Sequence, residues 1–354
     1  MNDQFATAMG RALEQTRAGN PAGATATIQA ALGGAAPQPS PRVRRPLGQT
    51  IDSLFNGKRV ARSFGQAPVR APEVPTGASW ETRHHAGAHG ARDYRLFVPS
   101  PRDEPVQGLV MMLHGCTQTA EDFASGTRMN LLAERHNLVV VYPEQTRAAN
   151  QMACWNWFRS EDQTRAGGEP ALLAEMAGQV AAELNVPAGR IFATGLSAGG
   201  AMAAILGRVF PEVFAAVGVH SGLAPGSASD VAGAFAAMQG QPTPAGPLAE
   251  IPARTIVFHG LSDTTVAPAN GDAVMASALG RAASIQSDAP HDGAKVTVHR
   301  DPSGRLLAEH WAIPGLGHAW SGGSAEGSHT APTGPDASAE MMRFFLSLEP
   351  EERA

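Results

Sequence analysis

The chain has 354 residues, 43% hydrophobic and 17% charged, with 27 Lys and Arg against 32 Asp and Glu for a net charge of -5. That is apolar enough for a sizeable core and excludes a chain disordered throughout, while the acidic balance argues against nucleic acid as a partner. Apolar runs such as residues 109–113 and 138–142 fall far short of the ~18 residues of a membrane span, so no span is expected.

Residues 1–75 stand apart as a basic leader. Nine basic residues face four acidic ones there, a local charge of +5 that leaves -10 on the remainder. Phe5, Met9 and Leu13 recur at helical spacing, and Asn20-Pro21 opens a second helix carrying Ile28 and Leu32. Residues 33–46 are rich in Gly, Pro, Ala and Arg and read as a linker. Such a leader packs loosely, self-associates or anchors the chain to a surface. The first residues lack the basic and apolar regions of a secretory signal, so a cytoplasmic location is the default expectation.

From residue 76 to 354 the pattern is that of one α/β domain. Strands are expected at residues 94–98, 108–113, 138–142, 190–194, 215–219, 255–259, 295–299 and 309–313. Several are unbroken Val, Leu and Ile runs, as in strands buried on both faces. Helices are expected between them at residues 121–136, 170–184, 199–209 and 338–348. Strands alternating with helices imply a mostly parallel sheet covered on both sides. Residues 222–252, rich in Ala, Gly and Pro, form an excursion beside the sheet and are a candidate lid.

The sharpest chemical signal is Gly195-Leu196-Ser197-Ala198-Gly199, between an expected strand and an expected helix. A Gly-x-Ser-x-Gly in that setting lifts the serine oxygen above the sheet and offers the helix N-terminus to an oxyanion. A serine needs a base, and the base needs a carboxylate, normally in the chain order Ser, Asp, His. Asp263 follows the strand at 255–259 and is the candidate acid, with Asp272 and Asp292 as rivals further from a strand end. His318, between glycines in Gly315-Leu316-Gly317-His318, is the candidate base, ahead of His310 in a strand and His329 in a polar loop. His114-Gly115-Cys116-Thr117 follows an early strand and supplies a second oxyanion donor. The N–H of Cys116 is preferred to that of Thr117, and it partners the N–H of Ala198. His84, His85 and His89 read as surface histidines of a polar loop without a carboxylate set. No phosphate loop or dinucleotide fingerprint follows a strand, and serine-based chemistry of this kind requires neither a metal nor an organic cofactor, so none is expected.

Residues 113–118, Cys154-Trp155-Asn156-Trp157-Phe158, residues 195–200, residues 259–266 and residues 317–323 together resemble the polyhydroxybutyrate (PHB) depolymerase family of esterases, allied to feruloyl and acetylxylan esterases. The resemblance implies an α/β-hydrolase fold and the triad Ser197, Asp263 and His318. It also implies hydrolysis of esters through an acyl-enzyme. Short-chain polyesters such as poly(3-hydroxybutyrate) are the first substrate expected, and feruloyl, acetylxylan or simple short-chain esters the second. A protein that only binds a granule or surface, with a vestigial site, is the reading from another class. Within that resemblance, the leader becomes a candidate anchor to a polymer granule, and many members are secreted, which makes an extracellular location the alternative. Cys116 and Cys154 fall inside two of the motifs: a disulfide is expected in an oxidising compartment, and two thiols in a reducing one. Trp155, Trp157, Trp320 and His114 flank the candidate site and are candidate substrate contacts, with ordinary core packing as the other reading for the tryptophans.

Overall fold

The computed structural model describes residues 71–241, 249–291 and 293–347. The leader expected over residues 1–75 lies outside them except for 71–75, and so do Asp292 and residues 242–248 of the excursion. The strands of the main sheet are β1 (Ser79–Gly87), β2 (Gly90–Val98), β3 (Gly108–Leu113), β4 (Leu138–Pro143), β5 (Ile191–Leu196), β6 (Ala216–His220), β7 (Arg254–Gly260), β8 (Ile285–His291), β9 (Ala294–Arg300) and β10 (Leu306–Ile313). They form one sheet in the order β1-β2-β4-β3-β5-β6-β7-β10-β9-β8. From β4 across to β10 the neighbours are parallel, and the pairs at either edge are antiparallel.

The central strands are buried on both faces, and their side chains alternate between two cores. Leu109, Met111 and Leu113 of β3 join Val139 and Val141 of β4 on one side. Val110 and Met112 join Val140 and Tyr142 on the other. Each fully buried Val, Leu or Met contributes about 1.5–3 kcal/mol relative to exposure, which explains why these runs carry no polar residue. The first core is closed by α3 (Gly168–Glu183), α4 (Ala198–Val209), α5 (Val231–Met238) and α6 (Ala269–Leu279). The second is closed by α1 (Ala120–Thr127), α2 (Met129–His136) and α7 (Ala337–Leu346). A parallel sheet clad on both sides, with Ser197 between β5 and α4, is the α/β-hydrolase fold.

Three local differences from the sequence reading have physical causes. The single helix expected over residues 121–136 is two, because Arg128 adopts a left-handed conformation (φ 52°) and its N–H closes α1 on the Ala124 carbonyl. The break lies where α1 runs against another segment: a side chain at Gly126 would sit 2.7 Å from Thr330 Cγ2. The loop assigned to His84 and His85 is the strand β1. His85 is buried, with Nδ1 2.8 Å from Gln179 Oε1 and Nε2 3.5 Å from Glu175 Oε2, while His84 Nδ1 lies 2.6 Å from Asp93 Oδ1. The excursion at 222–252 carries α5, whose start is capped by the Asp230 side chain accepting the Gly233 N–H at 2.7 Å.

Candidate active site

Ser197 sits at the carboxyl end of β5 with φ 57° and ψ -119°, a conformation that costs a non-glycine residue roughly 1–3 kcal/mol. Its neighbours leave no choice but glycine. A Cβ at Gly195 would lie 2.4 Å from the Leu113 carbonyl oxygen, and one at Gly199 would lie 2.0 Å from the same atom. The turn is held from below by the Ser197 N–H donating to the His220 carbonyl at 2.9 Å. Ser197 itself is only partly buried.

Asp263 and His318, 55 residues apart in the chain, meet: His318 Nδ1 lies 2.7 Å from Asp263 Oδ2. The other oxygen, Oδ1, accepts the N–H groups of Thr265 and Val266, each at 2.9 Å. Burial pushes the Asp263 carboxyl up, but the hydrogen bond and charge of the His318 ring and these two N–H groups outweigh it and hold the pKa below the ordinary value. Asp263 is therefore ionised at neutral pH. With an anion on Nδ1, the His318 ring keeps its proton there and leaves Nε2 as the basic nitrogen. The rival Asp272 lies in α6 with an exposed side chain, 3.7 Å from His310 Nδ1 rather than beside His318. His310 is part-buried in β10, and burial lowers its pKa to about 4. His329 is closer to the site, its ring 6.5 Å from that of His318.

Cys116 lies just past β3, after Gly115, where an added Cβ would be 3.7 Å from Ser197 Cβ. Among the described residues the Cys116 N–H meets no backbone acceptor, whereas the Thr117 N–H is committed to the Met152 carbonyl at 2.8 Å. Ala198 opens α4, and the first N–H groups of a helix have no acceptor within it. Cys116 and Cys154 are joined by a disulfide, which ties the turn to the segment around Trp155.

A model of the esterase PHB depolymerase family matches residues 92–295. The chain belongs to that family. Among its relatives, poly(3-hydroxyalkanoate) depolymerase C of Paucimonas lemoignei is 33% identical over 245 residues, 63% of this chain and 58% of that protein. Poly(3-hydroxybutyrate) depolymerase of Ralstonia pickettii is 27% identical over 73% of this chain and 58% of its own length. Acetylxylan esterase A of Talaromyces purpureogenus is 28% identical over 46% of this chain and 47% of its own length. The chain thus spans about half the length of the relatives it matches. Among solved structures, the acetyl xylan esterase from Aspergillus awamori superposes with a TM-score of 0.58 over 76% of this chain and 98% of its own, at 19% identity, a likeness of fold.

The expectation of aromatic substrate contacts needs correction in this family member. Trp155 and Trp320 are both 0% exposed, and Trp157 is buried too. Trp320 belongs to the second core, edge-on to Phe123 and stacked on His220, with its Nε1–H on Ser338 Oγ at 3.0 Å. Trp155 belongs to the first core, against His114. His114 is also walled in: Nε2 accepts the Gln145 N–H at 3.1 Å, so Nδ1 carries the proton and donates to the Gly115 carbonyl at 2.8 Å. Burial lowers its pKa to about 4, so it is a neutral brace for the turn rather than a substrate contact.

Several supports have no motif of their own. Gln118 accepts the Gly115 N–H at 2.9 Å and donates to Asp122 Oδ2 at 2.9 Å and the Ser328 carbonyl at 3.0 Å. Glu169 accepts from the Asn156 N–H and side chain and from Gln145, pinning the segment that carries Cys154. Their signal in the sequence was no more than polar residues inside or near the quoted motifs. Among the described residues, no group of three or more His, Cys, Asp or Glu could hold a metal ion, and no helix is long and apolar enough to cross a membrane.

Proposed function

We propose that the chain is a serine esterase in which Ser197, His318 and Asp263 act as nucleophile, base and orienting acid. The observation that carries this is the Asp263–His318 contact at 2.7 Å, in a chain of an esterase family that also holds a strained serine turn at the end of β5. His318 Nε2 takes the Ser197 hydroxyl proton as the oxygen adds to the ester carbonyl, and Asp263 stabilises the resulting imidazolium. The N–H groups of Cys116 and Ala198 stabilise the oxyanion. The tetrahedral intermediate collapses with His318 returning the proton to the leaving alcohol. Water, deprotonated by His318, then cleaves the acyl-enzyme and frees Ser197.

The substrate we propose is a short-chain polyester or its oligomers, poly(3-hydroxybutyrate) first, supported by the depolymerases among the relatives. Feruloyl, acetylxylan and simple short-chain esters are the second reading, supported by the acetylxylan and feruloyl esterases among the relatives. In this reading residues 1–75 are a separate unit that anchors the catalytic domain, residues 76–354, to a polymer granule. The Cys116–Cys154 disulfide supports an oxidising compartment, and so the extracellular alternative over the cytoplasmic default.

The test is release of 3-hydroxybutyrate and its oligomers from amorphous polymer, with p-nitrophenyl butyrate as a soluble ester. Ser197→Ala is expected to abolish both, and Asp263→Asn to cost on the order of 10⁴ in turnover. Undiminished turnover by folded Ser197→Ala overturns the mechanism. Activity on the soluble ester alone selects the second substrate class.

A further inference from the structure

Beside the Asp263–His318 pair lies a second histidine that the proposed reaction does not use. His259, the penultimate residue of β7, is 1% exposed. Its Nε2 is 3.0 Å from the Val266 carbonyl oxygen. A carbonyl only accepts, so the proton of this ring is on Nε2. The same Nε2 lies 3.7 Å from Asp263 Oδ2, the oxygen bonded to His318. Val266 in turn gives its N–H to Asp263 Oδ1 at 2.9 Å. One ring therefore holds the far end of the turn whose N–H groups hold the carboxylate, and directs its N–H dipole near the catalytic oxygen.

Packing alone does not account for an imidazole here. His259 Nδ1 is buried with no hydrogen-bond partner among the described residues, a penalty that an apolar ring of the same size would not carry. The ring is also closely backed. A Cβ at Gly271 of α6 would lie 3.0 Å from His259 Nδ1 and 3.1 Å from its Cβ. The titratable groups around it are Asp263 and His318 from the two loops, Asp272 from α6, His310 from β10 and His220 from β6. Burial lowers the pKa of His259 against the pull of Val266 and Asp263, which keeps the ring neutral beside the pair.

We propose that His259 is a positioning residue for Asp263, acting through the Val266 turn and its N–H to keep the carboxylate aimed at His318. The proposal rests on the triad reading. An ionised, well-placed Asp263 favours the His318 imidazolium, so a loosened carboxylate lowers the pKa that sets the acid limb of kcat/KM.

The experiment measures kcat, KM and the pH profile on p-nitrophenyl butyrate for the full chain and for its His259→Phe, His259→Gln and Gly271→Ala variants, with Ser197→Ala alongside. His259→Phe is expected to lose roughly 10–100-fold in kcat with little change in KM, as for a misplaced catalytic group, and to move its acid limb to lower pH. His259→Gln, which keeps an N–H for Val266, is expected to recover part of both. Wild-type kcat and acid limb in His259→Phe overturn the proposal, whereas activity in Ser197→Ala overturns the triad reading instead. If His259→Phe fails to fold, Gly271→Ala carries the test by pressing on the ring without removing it. A shifted acid limb in Gly271→Ala supports the proposal, and an unshifted one overturns it.

Discussion

Gln118 links the turn at Gly115 to the segment that follows His318, and its amide is used at both ends. The carbonyl takes the Gly115 N–H, while the NH₂ reaches Asp122 and Ser328. Asp122 Oδ1 also accepts the Ser328 N–H at 2.8 Å, so three segments share one hydrogen-bonded network. Replacing Gln118 by Leu removes the acceptor for Gly115 and releases the turn that presents the Cys116 N–H. We expect kcat on p-nitrophenyl butyrate to fall by up to about 10²-fold with KM little changed, because the loss bears on the transition state more than on binding. A Gln118→Leu enzyme with wild-type kcat would show that the turn holds its shape without the amide. The candidate serine, acid and base were picked out from local sequence, since each stands in a turn with glycine close to an apolar run. The supports were not, because Gln118 and Ser328 are 210 residues apart and nothing local marks a side chain for a distant partner.

At the scale of elements, the segment between β4 and α3 shows how a loop is made rigid with little regular structure. Three ties hold it: the Cys116–Cys154 disulfide, the Thr117 N–H on the Met152 carbonyl, and Glu169 on Asn156 and Gln145. The disulfide closes a loop with a sequence separation of 38. Chain-entropy arguments put such a closure at about 4 kcal/mol of stability. The Cys116→Ser, Cys154→Ser double variant is therefore expected to lower the unfolding free energy by up to that amount, measured by denaturant titration. An unchanged midpoint would mean that the Glu169 network and the Thr117–Met152 hydrogen bond hold the segment without the disulfide. Elements buried on both faces were the most legible, as β3 and β4 show. The missed strands lie at the edges of the sheet. β1 is largely exposed, and β8 carries Asp288 and Pro290 in a sequence without an apolar run. An edge strand pairs on one side only, so its residues are not selected for burial.

Across the whole molecule, buried histidines set the response to acid. Burial lowers the pKa of His114 to about 4, of His220 to about 3 and of His310 to about 4, from an ordinary value of 6.5. Each is held neutral in the fold and takes up a proton readily only when unfolded. Below pH 6.5 the unfolded chain thus binds more protons, and stability falls as pH falls, by roughly 1 kcal/mol per pH unit for each such group until its folded pKa is reached. Melting temperature is expected to drop steadily between pH 6.5 and pH 4.5 (about the window in which all three groups differ between states). A flat profile would show that these rings do not govern stability in acid. The sequence by itself determined the alternation of strands and helices, the layered parallel sheet and the candidate residues Ser197, Asp263 and His318, because apolar periodicity and glycine turns are local properties. Tertiary structure alone decided that Asp263 rather than Asp272 meets His318. It likewise decided that Trp155 and Trp320 fill the core, and that helix 121–136 breaks at Arg128. Each of those outcomes depends on which distant segment comes to lie against the residue, and no local pattern encodes that contact.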